Sequence, residues 1–218
     1  MLLFLVAAGA ACGQRPSGTV KDQTTSSTSG DTRFRVETVA SGLEVPWAFA
    51  WLPNGDMLFT ERRGRVRIIE GGKLRAEPVF VVPDVEPTGE SGLMDITLHP
   101  NFSSNNFIYL SYAYNKDGKR DRVVRYTYAG GKFTDPKTII EDIPAAQFHA
   151  GMRCRFGPDG KLYVSDGDST KWDLAQQMDS LAGKILRLND DGSVPQDNPF
   201  IGKQGARPEI WAYGVRNP

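Results

Sequence analysis

Cysteine and histidine are scarce in this chain of 218 residues, with two of each. Cys12 and Cys154 alone cannot build a disulfide framework or a zinc ribbon. Charge of one sign is lacking too. The 26 Lys and Arg balance the 26 Asp and Glu, which excludes a strongly basic nucleic-acid surface, so no nucleic-acid partner is expected. The apolar opening, residues 1–12, falls short of the ~20 residues that span a bilayer. No long stretch keeps a 3.6-residue apolar period, and the one helical candidate is short, around residues 174–181. There is no Walker loop, no G-x-G-x-x-G after a strand and no G-x-S-x-G, so the signatures of phosphate cradles and serine hydrolases are missing. What remains suits a packed, turn-rich domain: 39% hydrophobic and 24% charged residues, with 23 Gly and 14 Pro.

Residues 1–12, MLLFLVAAGAAC, read as the apolar core of an export signal ending in small residues. Ala10-Ala11-Cys12 resembles the end of a bacterial lipoprotein signal, in which Cys12 would carry the lipid. The other reading is ordinary cleavage after an A-x-A-like site. Residues 13–33 are rich in Ser, Thr and Gly without periodicity, which describes a flexible tether. The expectation is an exported protein, periplasmic or lipid-anchored at the bacterial cell envelope through Cys12.

The rest, residues 34–218, carries an internal repeat. Leu52-Pro53-Asn54-Gly55-Asp56-Met57-Leu58-Phe59-Thr60 resembles Gly157-Pro158-Asp159-Gly160-Lys161-Leu162-Tyr163-Val164-Ser165, and His99-Pro100-Asn101-Phe102 opens a third version. Pro53, Pro100 and Pro158 recur at intervals of 47 and 58 residues. A second alternating strand follows each: Arg65-Val66-Arg67-Ile68-Ile69, Val123-Val124-Arg125-Tyr126-Thr127-Tyr128 and Lys184-Ile185-Leu186-Arg187-Leu188. Each runs into a Gly-bearing hairpin turn. Antiparallel units of this length predict β-propeller blades. Three units are clear, and Pro208-Glu209-Ile210-Trp211-Ala212-Tyr213 is expected to start a fourth. Four to eight blades close a propeller, so the domain is expected to be truncated at its C-terminus.

Propellers bind ligands at the mouth of the channel. His99 lies in a Leu-His-Pro-Asn turn and reads as a turn or packing residue. His149 precedes a blade's first strand, with Arg153 and Arg155 nearby and the acidic turn Asp166-Gly167-Asp168 past that strand. Imidazole is the natural general base at neutral pH. Carboxylates at i and i+2 are a common calcium spacing, with two solvated turn residues the commoner explanation. Arg216 offers a guanidinium suited to planar carboxylates, or to a structural ion pair. Cys154 reads as a buried small hydrophobe.

These residues also carry a family likeness. His149-x-Gly151-x-Arg153, the Phe156–Val164 run and Asp166-Gly167-Asp168 resemble the soluble quinoprotein aldose dehydrogenases of the glucose/sorbosone dehydrogenase family. Leu43-Glu44-Val45-Pro46-Trp47-Ala48, Gly89-Glu90-Ser91-Gly92-Leu93, Leu181-Ala182-Gly183-Lys184 and Tyr213-Gly214-Val215-Arg216-Asn217-Pro218 agree in order. The likeness implies an all-β fold, a six-bladed propeller with roughly its first half to two-thirds in this chain. It implies a pyrroloquinoline quinone (PQQ) cofactor with Ca²⁺, and oxidation of an aldose at C1 to the lactone. His149 would take the C1 hydroxyl proton as hydride passes to PQQ. Arg216, Asn217, Glu90 and Arg153 would line the cofactor pocket, with the calcium ligands beyond Pro218. Electrons would go to a periplasmic acceptor. Two readings stay open beside it: a non-catalytic exported propeller that binds a partner, and a metal-dependent lactone hydrolase.

Overall fold

The structure, a computed structural model, describes residues 35–218. The expected signal, tether and lipid-bearing Cys12 lie outside the described residues. Residues 35–39 form no helix or strand, and the account below concerns residues 40–218. Among the described residues no helix is long and apolar enough to cross a membrane.

Three antiparallel sheets follow one another along the chain. The first holds β1 (Pro46–Trp51), β2 (Met57–Glu61) and β3 (Arg65–Glu70), with β4 (Lys73–Leu74) and β5 (Phe80–Val81) both pairing with β3. The second is β6 (Leu93–Leu98), β7 (Phe107–Asn115), β8 (Lys119–Ala129) and β9 (Lys132–Pro144). The third is β10 (Arg153–Phe156), β11 (Leu162–Asp166), β12 (Lys184–Leu188) and β13 (Ile210–Tyr213). Each is an up-and-down meander, the blade of a propeller.

The repeated turns explain the register. In the first sheet the Asn54 side chain accepts the Asp56 N–H at 3.1 Å, and in the third Asp159 accepts the Lys161 N–H at 3.1 Å. Such Asx bonds close the turn locally, while Gly55 and Gly160 take the left-handed conformation that follows (φ +87° and +73°). The second sheet lacks that glycine. There the chain winds through one helical turn, α1 (Phe102–Asn105), ended by Asn106 at φ +57°.

Neighbouring blades face each other through their first strands: β1 touches β6, and β6 touches β10. One apolar cluster fills the space between the first and second sheets, around Leu58, Ile68, Leu93, Leu110 and Tyr126. Another fills the space between the second and third, around Met94, Tyr109, Val164 and Leu186. Met152 and the free thiol of Cys154 are buried in this second cluster. A repeated hydroxyl ties the blades. Thr60 Oγ1 donates to the Met94 carbonyl at 2.6 Å, and Ser111 Oγ to the Met152 carbonyl at 3.0 Å.

Three expectations are corrected. The segment around Ile210 does not start a fourth blade. It pairs with β12 as the last strand of the third blade. The turn at residues 189–192 is therefore no hairpin to an adjacent strand. It closes on itself, the Asn189 N–H donating to the Ser193 carbonyl at 2.8 Å, and a long loop follows. Arg187 holds that loop through Asp197 at 2.8 Å and Asn198 at 2.9 Å, which lets the chain return late to the sheet. The helix expected around residues 174–181 is only a 3₁₀ turn, Trp172–Ala175.

Candidate functional site

His149 lies in the connection from β9 to β10, and its backbone sits at φ +55°, a region histidine enters more readily than most residues. That conformation turns its N–H toward Glu90, whose Oε2 accepts it at 2.9 Å. Glu90 comes from the connection between the first and second blades. Its own N–H donates to the Gln147 carbonyl at 2.8 Å, and Gly89 passes so close to that carbonyl that a Cβ would overlap it. The same Glu90 oxygen takes the Asn217 amide at 3.4 Å, and Asn217 Oδ1 accepts the Gly151 N–H at 2.9 Å. The sequence-derived residues His149, Glu90 and Asn217 thus meet in one hydrogen-bonded cluster.

Asp168 completes it. His149 Nδ1 lies 2.7 Å from Asp168 Oδ1, and the Thr170 N–H donates to that same oxygen at 2.9 Å. A carboxylate oxygen only accepts, so the contact places an imidazole hydrogen on Nδ1 and leaves Nε2 as the ring nitrogen not bonded to Asp168. The turn holding Asp168 is pressed against the histidine. At Gly167 a Cβ would overlap the His149 carbonyl and lie 3.2 Å from the Arg216 carbonyl. That Arg216 carbonyl accepts the Asp168 N–H at 2.8 Å. Arg216 is thereby anchored by its main chain, with its guanidinium exposed.

The reading of Asp166 and Asp168 as two solvated turn carboxylates is corrected. They are 1% and 3% exposed. Strand alternation puts Asp166 on the core face with Leu162 and Val164, and Asp168 is drawn in by the histidine. The bonding role of Asp168 needed a partner 19 positions away in sequence, which no local pattern carries.

Arg153 is placed elsewhere than the cluster. Its guanidinium stacks over the Trp47 ring at 4.2 Å and lies 3.5 Å from Asp95. Asp95 is fully buried, accepting the Cys154 N–H at 2.7 Å and the Arg155 guanidinium at 2.6 Å. Burial pushes its carboxyl above the usual range, against the pull of Cys154, Arg155 and Arg153. His99 behaves as a turn residue: Nδ1 accepts the Asn101 N–H at 2.9 Å, and burial lowers its imidazole below the ordinary range. Next to the cluster in sequence, a cleft of about 280 Å³ opens between residues 117–120, 144–146 and 169–171.

A bladed β-sheet fold with a carboxylate-held histidine between its blades defines a propeller with a polar cluster at a blade junction. The sequence profile of the glucose/sorbosone dehydrogenases matches residues 43–218, and the chain belongs to that family. It is 41% identical over 190 residues to the aldose sugar dehydrogenase YliI of Escherichia coli, covering 84% of this chain and 51% of that protein. The PQQ-bound aldose sugar dehydrogenase of Streptomyces coelicolor superposes with a TM-score of 0.74 at 36% identity, over 84% of this chain and 54% of that one. Human Hedgehog-interacting protein is 30% identical over 218 residues, covering 85% of this chain and 31% of its own length. The chain spans about half the length of the curated dehydrogenase relatives it matches.

Proposed function

We propose that the protein is an exported, PQQ-dependent oxidoreductase that oxidises aldose sugars at C1 to lactones, with His149 as the general base. The observation that carries this reading is the Asp168–His149 bond. With Nδ1 donating to Asp168, a neutral imidazole would offer Nε2 as acceptor, the form a base needs to take a hydroxyl proton. Asp168 would then stabilise the imidazolium that proton transfer creates.

The residues also fit the cofactor. PQQ is a planar tricarboxylate, and Arg216 presents an exposed guanidinium while its main chain is tied to the turn that holds His149. Asn217 and Glu90 would frame the same pocket through their shared bonds to the His149 loop. Bound PQQ would supply the two-electron acceptor, and the chain would supply orientation, charge and the proton acceptor. Arg153, held on Trp47 and Asp95, would support the blade behind the site. Calcium enters through the family likeness. Among the described residues no three His, Cys, Asp or Glu side chains form a metal cluster, so the proposal places no metal ligand on this stretch. A periplasmic electron acceptor and a lipid tether at Cys12 belong to the same proposal.

The likeness to Hedgehog-interacting protein, named for a protein partner, favours a second reading: a propeller that binds and does not turn over. Dye-linked oxidation of an aldose panel decides between them, with PQQ and Ca²⁺ added and His149→Ala run alongside. The enzyme reading requires activity that depends on PQQ and is lost in the variant. No activity, with no PQQ retained through gel filtration, would leave the binding propeller.

A further inference from the structure

Asp121 and Asp166 are neighbours where the second blade meets the third: Asp121 pairs with Ile143 on β9, and Ser169, three residues past Asp166, donates its hydroxyl to the Pro144 carbonyl at the end of β9. Asp121 lies on β8 opposite Ala113, and Asp166 ends β11. Both are buried, at 0% and 1% exposure. Among the described residues none of their four carboxyl oxygens has a hydrogen-bond partner of ordinary geometry, and only the adjacent Gly167 N–H acts on Asp166. The cations nearest the pair are already engaged. Lys119 Nζ donates to Ser91 Oγ at 2.9 Å and to the Glu86 carbonyl at 3.2 Å. Lys184 Nζ donates to the carbonyls of Leu174 at 2.7 Å, Ala182 at 2.8 Å and Ala175 at 3.1 Å. The carboxylates of Glu86 and Asp179 act on those two lysines.

Two facing carboxylates, buried with almost no donors, would repel each other in a medium that screens poorly. One arrangement relieves that repulsion from within, a carboxyl donating to a carboxylate. We propose that Asp121 and Asp166 share a proton, and that this blade-to-blade hydrogen bond positions the Gly167–Asp168 turn that orients His149.

The electrostatics agree. Burial raises the Asp121 carboxyl, with Lys119 pulling the other way. Burial and then the Asp121 charge raise Asp166, with the Gly167 N–H and Lys184 opposing. The coupling to the turn is covalent and short: Asp166 is followed by Gly167, which is packed on the His149 carbonyl, and by Asp168, which holds the ring. Gly167 is pinned from its other side, its carbonyl accepting the Gly183 N–H at 2.7 Å. The positioning half of the inference rests on His149 being the base. The shared proton does not.

A carboxyl raised in the folded state binds its proton more tightly than in the unfolded chain. The stability it contributes is complete below the ordinary carboxylate range and is lost as pH climbs through the raised value. In Asp121→Asn the amide donates the same bond at every pH. Relative to that variant, the wild-type unfolding equilibrium should shift toward the unfolded chain about tenfold per pH unit for each retained proton, from about pH 4 upward. Infrared spectra at neutral pH should show a protonated-carboxyl band that Asp166→Asn removes. The His149 Nδ1–H proton resonance should persist in Asp121→Asn and be shifted or lost in Asp121→Ala. None of these readouts needs PQQ or turnover, so failure of the quinoprotein reading would leave them interpretable. Parallel pH–stability curves with no such band would overturn the shared proton. So would a thermal midpoint that chelator lowers in wild type and not in Asp166→Asn, which would place a cation between the carboxyls. An unchanged resonance in Asp121→Ala would overturn the positioning role.

Discussion

Replacing Asp168 by Asn or by Ala should give unequal losses of activity, and the inequality follows from a single oxygen. Asp168 Oδ1 accepts both the His149 Nδ1–H at 2.7 Å and the Thr170 N–H at 2.9 Å. An amide can set its own oxygen in that place, satisfy both donors and keep the imidazole tautomer. What it loses is the charge. A hydrogen bond to a charged group contributes about 1.5–3 kcal/mol and a neutral one about 0.5–1.5, so the difference is about 1–1.5 kcal/mol. Asp168 is 4% and His149 18% exposed on the side chain, so solvent screening removes little of it. That predicts a fall in kcat of roughly tenfold for Asp168→Asn. Asp168→Ala removes the acceptor altogether. The ring is then free to rotate and to move its hydrogen to Nε2, and the loss should approach the ~10²–10⁴-fold contribution of a general base. The assay is dye-linked aldose oxidation by the PQQ-reconstituted full-length protein, with kcat and KM taken separately. Equal damage in the two variants would refute the orientation argument and make charge the whole effect. Full kcat in Asp168→Ala would refute the role of His149 itself.

Gly167→Ala drives a Cβ into the His149 carbonyl and should cost about 1–3 kcal/mol, as overpacking does, visible as a lowered urea midpoint. Ser111→Ala strips a buried hydroxyl that donates to the Met152 carbonyl and accepts the Asp95 N–H, both at 3.0 Å. Two buried groups lose their partner, so a loss on the order of 2 kcal/mol is expected in chemical denaturation, and a neutral result would sink the inter-blade tie. Burial pulls Lys184 down from 10.5 to about 8. The folded protein therefore releases that proton before the unfolded chain does. Wild type should gain on Lys184→Met as pH rises from about 8 to about 10.5, by at most about 1.4 kcal/mol per unit. A difference between the two that stays flat across that window, in denaturant titrations, would contradict it.

The parts of this protein legible in its sequence are those whose chemistry is local. The Asn54 and Asp159 turns close within two residues on their own strands, and the paired glycines at 71–72 and 130–131 close their hairpins the same way. The third turn departs from the hairpin its sequence predicts because Arg187 reaches ten positions ahead to Asp197, a bond with no local signature. Asp166 carried a partial signal. Its place in the alternation with Leu162 and Val164 puts a carboxyl on a core face, but the carboxyl it meets belongs to another sheet. The site itself shows why the repeat could not reveal it. Glu90 comes from the junction of the first and second blades, His149 from that of the second and third, Asp168 from inside the third, and Asn217 from beyond its last strand. Each blade satisfies its own backbone, so the repeat encodes the scaffold. The hydrogen bonds that fix His149 join residues 19 and 59 positions away, and those separations exist only once the blades have stacked. A substitution that spares every strand while loosening the blade contacts should therefore disorder the histidine before it unfolds the sheets.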